Sequence, residues 1–188
     1  MPMEFDQEIL NDIYSDPICI AGLYGRQSLV IYSLTKPAIA LYHREDGPAI
    51  YAEGFTAEWW QYNVRHRLDG PAIIDPNLKC EEWWQYGIRH RIDGPAISFH
   101  NGRECWYKND ELHRIGGPAK THANGHQEWY QNGKRHRIDG PAVINSEKYK
   151  FYIDDNNITH DVHKWMNENN ITYPFTQTNK IEFFLKFS

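Results

Sequence analysis

Cysteine is scarce in this chain and does not pair up. Cys19, Cys80 and Cys105 are odd in number and widely separated, with no C-x-x-C spacing. Neither a disulfide framework nor a cysteine zinc site is expected, and a reducing, cytoplasmic setting is implied. Long apolar runs are missing as well. Nothing approaches the ~20 residues of a membrane-spanning helix, and the acidic start Met1-Pro2-Met3-Glu4-Phe5-Asp6 lacks the apolar stretch of a secretion signal. Positive charge is in deficit, with 20 Lys and Arg against 25 Asp and Glu, so the whole molecule is not expected to coat nucleic acid. A Gly-rich phosphate loop, a nucleophile elbow and a reactive Cys/His motif are all lacking. No catalytic residue and no cofactor are therefore expected.

Aromatic rings are plentiful instead. They make up 14% of the chain, too much for a disordered segment, although mean hydropathy is only -0.73. That combination suits a thin structure with much surface, such as a repeat array. The array is visible directly. Trp59-Trp60-Gln61-Tyr62-Asn63-Val64-Arg65-His66-Arg67-Leu68-Asp69-Gly70-Pro71-Ala72 recurs from Trp83 to Ala96, from Trp106 to Ala119 and from Trp129 to Ala142. A more worn copy ends at Asp46-Gly47-Pro48-Ala49. The Gly-Pro glycines fall at 47, 70, 94, 117 and 140, a period of 23, 24, 23 and 23 residues.

Three regions follow. Residues 1–41 form an N-terminal cap, with a short amphipathic helix over 3–15 and two strands, 18–23 and 28–32, around Gly25-Arg26. Residues 42–155 hold five to six repeats. Each has a strand after Pro-Ala, a polar turn, a strand with the paired rings and a second turn at Asn63, Gly87, Asn109-Asp110 or Asn132-Gly133. One repeat thus reads as roughly one β-hairpin, and the hairpins as an antiparallel array. Residues 156–188 form a helical C-terminal cap. Thr159 is its expected N-cap, Val162, Trp165 and Met166 fall at helical spacing, and a last amphipathic segment runs from Asn179 to Phe187. The expected fold is mainly β, with short helical caps at both ends.

Adjacent rings on a strand point to opposite faces. The all-Trp row, Trp59, Trp83, Trp106 and Trp129, is expected inside. Trp60, Trp84, Tyr107 and Tyr130 are expected half exposed or covered. His43, His66, His90, His113 and His136 form a ladder whose neighbours stand about 9–10 Å apart, too far to share an ion, so each imidazole is expected to bond a turn carbonyl and no metal is expected there. Arg44, Arg67, Arg91, Arg114 and Arg137 are expected to lie on the rings and pair with the acid two residues on, an acid that Arg114 lacks. Arg65, Arg89, Lys134 and Arg135 add a basic edge. It protects an open strand edge or docks an acidic partner.

The period, the hairpins and the Asn-Gly turns resemble MORN and MORN-like repeats. The form W-W/Y-x-x-G-x-x-H-R-x-D-G-P-A is similar to a variant familiar in bacteriophage proteins. The resemblance covers about 42–155, and the tail from Ile158 is similar to the segment such proteins often carry. It implies a non-enzymatic, phage-encoded protein acting in the host cytoplasm. That protein would bind a host protein, a defence or toxin-type factor, and inhibit or redirect it. The docking residues would be Arg65, Arg67, Arg89, Arg91, Arg114, Lys134, Arg135 and Arg137 with Trp60, Trp84, Tyr107 and Tyr130. Two alternatives stand beside it. One is nucleotide or nucleic-acid binding by the second ring row and the basic edge. Against it stand the gap at Glu111-Leu112 and the acids Glu58, Glu82 and Glu128 along the aromatic face. The other is an enzyme with a site at the C-terminal cap junction, near His160 or His163.

Overall fold

The computed structural model describes residues 20–23, 29–32, 42–44, 46–51, 54–146 and 148–188. The helix expected over 3–15 lies outside them. The two N-terminal strands are Ile20–Leu23 and Leu29–Tyr32, paired antiparallel with Ile20 opposite Tyr32.

Each repeat makes two hairpins rather than one. The first joins the strand after Ala to the strand before the rings, as in Ile97–Phe99 with Glu104–Cys105. The five first hairpins, between Ile50 and Lys150, merge into one ten-stranded antiparallel sheet. The second hairpin starts one residue later, at the second ring, as in Trp84–Gln85 with Ile88–Arg89. Its turn has both central residues at positive φ: Tyr62 and Asn63, Tyr86 and Gly87, Asn109 and Asp110, Asn132 and Gly133, Asp154 and Asp155. That is the tight turn whose twist matches paired strands, and it suits Asn and Gly. The chain breaks step between the two hairpins at the first Trp, which is why a single alternating strand is the wrong picture. The Trp83 N–H donates to the Ala96 carbonyl at 2.7 Å, and the Trp83 carbonyl accepts from the His90 N–H at 3.2 Å.

Second hairpins also bond one another from copy to copy. Arg67 N–H donates to the Trp84 carbonyl and Gly87 N–H to the Arg65 carbonyl, and the same two bonds recur in the following copies. The motif alanines, Ala49, Ala72, Ala96, Ala119 and Ala142, are fully buried, and the last four accept the first-Trp N–H of the preceding ring pair at their carbonyls. The one 24-residue spacing is absorbed at a hairpin tip. Ile73 faces Glu82 as Ile97 faces Cys105, and the extra residue lies in the tip, where Lys79 takes a φ of 50°. Hairpin tips tolerate such insertions because no ladder register depends on them.

The array ends by substitution. Phe151-Tyr152 is a fifth ring pair, in the sixth copy, and Ile158 N–H donates to the Phe151 carbonyl as His66, His90, His113 and His136 donate to their Trp. Thr159 stands where the next Arg belongs. Its hydroxyl accepts the Phe151 N–H at 3.0 Å, and there a helix starts instead of another Asp-Gly-Pro turn. This helix, α1 (Thr159–Glu168), has Ile158 and not Thr159 at its N-cap, with no side-chain cap, because the Thr159 hydroxyl is already engaged at Phe151. Helix α2 (Gln177–Phe187) starts two residues before the expected Asn179. Thr176 and Asn179 form a reciprocal capping box there, with Asn in place of the usual Glu or Gln. Phe151, Val162, Trp165, Phe175 and Phe183 make a buried hydrophobic cluster, four of its five members aromatic. No described helix is long and apolar enough to cross a membrane.

Candidate functional site

The motif arginines sit inside a sandwich. Arg67, Arg91, Arg114 and Arg137 each hold the guanidinium carbon 3.8–4.1 Å from the ring centre of Trp59, Trp83, Trp106 and Trp129. The other face of the guanidinium lies on the glycine of Gly-Pro. A Cβ at Gly70, Gly94 or Gly117 would come within 2.6–2.9 Å of the Arg Cζ. The φ of these glycines is ordinary, so lack of a side chain and not backbone freedom selects them. Nε donates to the acid two residues on, at 2.8 Å for Arg44–Asp46, 2.9 Å for Arg67–Asp69, 3.0 Å for Arg91–Asp93 and 2.6 Å for Arg137–Asp139. Nη1 donates to the proline carbonyl, and Arg114, which lacks the acid, keeps that bond to Pro118 at 3.1 Å. One stack therefore accounts for Trp, Arg, Asp, Gly and Pro together, and this ladder holds the array.

The histidines couple each copy to the next: His43, His66 and His113 accept a turn N–H at Nδ1, His90 Nδ1 lies against both the Asn109 N–H and its side-chain oxygen, and His136 Nδ1 donates to the Asp154 carboxylate. His66 Nδ1 accepts the Tyr86 N–H at 3.1 Å, and His113 Nδ1 accepts the Asn132 N–H at 3.1 Å. The left-handed turn residue either packs its ring on the imidazole, as Tyr62 and Tyr86 do, or bonds it by side chain, as Asn109 and Asp154 do. Burial holds the His66 pKa below its ordinary 6.5, because the imidazolium would lose its water and the acceptor lone pair. The unfolded chain then binds the proton more readily. The stabilisation is complete above the unfolded pKa and is lost as pH falls through the folded one. Asn at position 66 can accept the same N–H without titrating. Thermal unfolding at about pH 7.5 and about pH 5.5 should show a smaller loss on acidification in His66→Asn than in the parent.

Trp60, Trp84 and Tyr107 of the second ring row are covered by the basic edge. Arg65 lies over Trp60 and Trp84, Arg89 over Trp84 and Tyr107, and Arg135 over Tyr152. These arginines also have acid partners: Glu58 at 3.3 Å, Asp110 at 2.6 Å and Asp155 at 3.2 Å. Lys134 stands exposed beside them. Glu58, Glu82 and Glu128 accept hydrogen bonds from Trp60, Trp84 and the Tyr130 hydroxyl, which places three carboxylates along this face. Burial and the Glu128 bond push the Tyr130 hydroxyl up to about 12. His160 and His163 are both exposed on α1, and His163 stands edge-on to Phe151. The buried thiols are held protonated, Cys80 at about 11, chiefly by burial with Glu82 and Asp75 adding to it.

A different row is free. The variable position of H-R-x-D-G-P-A carries Leu68, Ile92, Ile115 and Ile138, exposed by 63%, 85%, 74% and 39%. Four aliphatic side chains thus face solvent at the same place on successive copies, about 9–10 Å apart by strand spacing. Carboxylates of Asp69, Asp93 and Asp139 border them.

No family model matches the chain, and searches of curated proteins and of solved structures find no match.

The aliphatic row was legible in principle. A motif position that is free to vary, yet apolar in four consecutive copies, is a signal in the sequence. A second group was also missed. His122, His126 and Glu128 meet on one hairpin, and a His on each side of an Ala-Asn-Gly turn is the sequence sign of that.

Proposed function

We propose that this chain is a non-enzymatic repeat scaffold that docks a protein partner along the row of Leu68, Ile92, Ile115 and Ile138. The observation that carries the reading is the exposure of these four side chains at one repeated position. Isolated surface Leu or Ile is ordinary, but a periodic strip of them is what an interface core uses. The partner surface complementary to it is apolar and bordered by Lys or Arg, because carboxylates flank the strip. The motif arginines support the scaffold, and Arg65, Arg89 and Arg135 of the basic edge are occupied by acids of the chain, so docking falls to the aliphatic strip. The resemblance to phage repeat proteins supports a host protein as the partner, a defence or toxin-type factor that the chain inhibits or redirects.

The test compares the parent with Ile92→Glu/Ile115→Glu in affinity capture from host lysate. A specific partner should bind the parent, persist at about 0.5 M salt, where surface charges are strongly screened, and bind the variant at least about tenfold more weakly. Both sites face solvent, so the melting temperature should hardly move. Capture that survives in the double variant, yet is lost at high salt and on changing Arg65, Arg89 and Arg135 together, would move the docking surface to the basic edge.

A further inference from the structure

The hairpin of Lys120–Thr121 and Gln127–Glu128 differs from its neighbours. On one face of this hairpin Lys120 sits opposite Glu128, and His122 is next to His126 across the turn, with His122 N–H donating to the His126 carbonyl at 2.8 Å. The preceding copy carries Ile97, Phe99, Arg103 and Cys105 at the corresponding places. Here the two imidazoles stack, with centroids 4.7 Å apart and planes 17° apart. Both turn Nε2 toward one oxygen. His122 Nε2 is 3.0 Å and His126 Nε2 is 3.9 Å from Glu128 Oε1, and one ligand atom from each residue lies within 4.8 Å of the others. His126 Nε2 is buried and has no hydrogen-bond partner. An orphaned ring nitrogen at this depth calls for an explanation, because a buried polar atom without a partner is costly.

We propose that His122, His126 and Glu128 form a three-ligand site for a zinc-class divalent cation. Two imidazoles and a carboxylate are a donor set such ions favour, and two ligands on one ion at about 2.1 Å stand about 3.4 Å apart in a tetrahedron. The observed 3.0 and 3.9 Å bracket that spacing, so small rotations of the rings suffice. The Nε2 proton of His122 moves to Nδ1 through solvent, freeing the lone pair, and the ion gives His126 Nε2 the partner it lacks. Water fills the fourth position at the exposed mouth of the turn. Lys120 Nζ, 3.7 Å from Glu128 Oε1, competes for the same carboxylate and turns away to solvent when the ion enters. The hairpin provides a stiff frame. His126 N–H is held by Asn124 Oδ1 at 3.1 Å, and Gly125 N–H donates to the His122 carbonyl at 2.9 Å. The site lies off the His ladder, whose Nδ1 atoms are engaged by turns, and it does not depend on the docking surface proposed above.

Zinc titration of the full chain by calorimetry and by melting temperature tests the assignment. One equivalent should bind the parent. His126→Ala should bind it about a hundredfold more weakly or not at all, with its far-ultraviolet circular dichroism unchanged. Lys120→Ala should bind it more tightly, an effect that a purely structural cluster would not produce. His160→Ala/His163→Ala, on α1, should bind like the parent. Absence of stoichiometric zinc binding to the parent would overturn the site. So would equal binding by His126→Ala and the parent, or binding lost only with His160 and His163.

Discussion

Gly94→Ala should destabilise the protein by about 2–3 kcal/mol, whereas Gly140→Ala should change stability by less than about 1 kcal/mol. Both glycines occupy the same place in the motif, and neither has a left-handed φ. They differ in what a methyl group would meet. At Gly94 the Cβ would lie 2.6 Å from Arg91 Cζ and 2.8 Å from Nε, so the guanidinium must leave. It then loses its position 3.9 Å above Trp83, its bond to Asp93 and its bond to the Pro95 carbonyl. At Gly140 the nearest atom, Arg137 Cζ, is 3.4 Å away, an ordinary contact. The check is chemical unfolding of both variants with the Arg91→Ala background included. Once Arg91 is shortened, the Gly94 methyl has room, so the double variant should be more stable than the sum of the two losses by at least about 1 kcal/mol. Equal losses at the two glycines, or strict additivity with Arg91→Ala, would show that the sandwich is not what selects glycine.

Phe183→Ala should cost about 3–5 kcal/mol, and Leu185→Ala, two residues on, less than about 0.5 kcal/mol. Phe183 is fully buried and Leu185 is 76% exposed. The Phe183 ring lies 5.3–5.7 Å from those of Phe151, Phe175 and Phe187 and 6.3 Å from Trp165. Phe151 belongs to the last rung of the array, so the cavity opens against the repeat and not only between helices. Hydrogen exchange should therefore speed up first in the Tyr152–Asn157 hairpin and later, if at all, in the hairpins near Ala72. In a repeat array stability passes between neighbours, and loss at one end reaches the far end weakly. Uniform acceleration along the chain would contradict this.

Much of the scaffold could be read from letters alone, for a physical reason. When every copy solves the same packing problem, the solution is printed several times. The Arg–Asp pairing, the turn at Asn132-Gly133 and the helical spacing of Val162, Trp165 and Met166 all follow from local chemistry. The second hairpin did not follow. A step in the chain at Trp83 leaves no mark in composition, and two adjacent rings look the same whether the strand runs straight or breaks between them. The role of glycine beneath Arg91 was hidden as well, because Asp-Gly-Pro reads as a turn signal and the guanidinium that fills the space comes from three residues upstream. For a related reason the histidines expected to bond a turn carbonyl instead accept a turn N–H at His66 and His113. Sequence shows that a histidine faces a turn, but not whether a carbonyl or an N–H points back. The surface was the least legible part, since exposure of Ile92 and convergence of His122 with His126 both depend on where successive copies sit.

The bond between a turn residue and the histidine of the preceding copy makes every copy both plug and socket. The last socket, at His136, is closed by Asp154 from the incomplete sixth unit, and nothing in the middle of the array knows how many members precede it. A further 23-residue module inserted between Ala96 and Ala119 would meet familiar partners on both sides and leave both ends untouched. It would also carry one more aliphatic rung. The length of the aliphatic strip is thus set by copy number, and the docking surface proposed for it would be lengthened or shortened by duplication or loss of a module, with no change to any single contact.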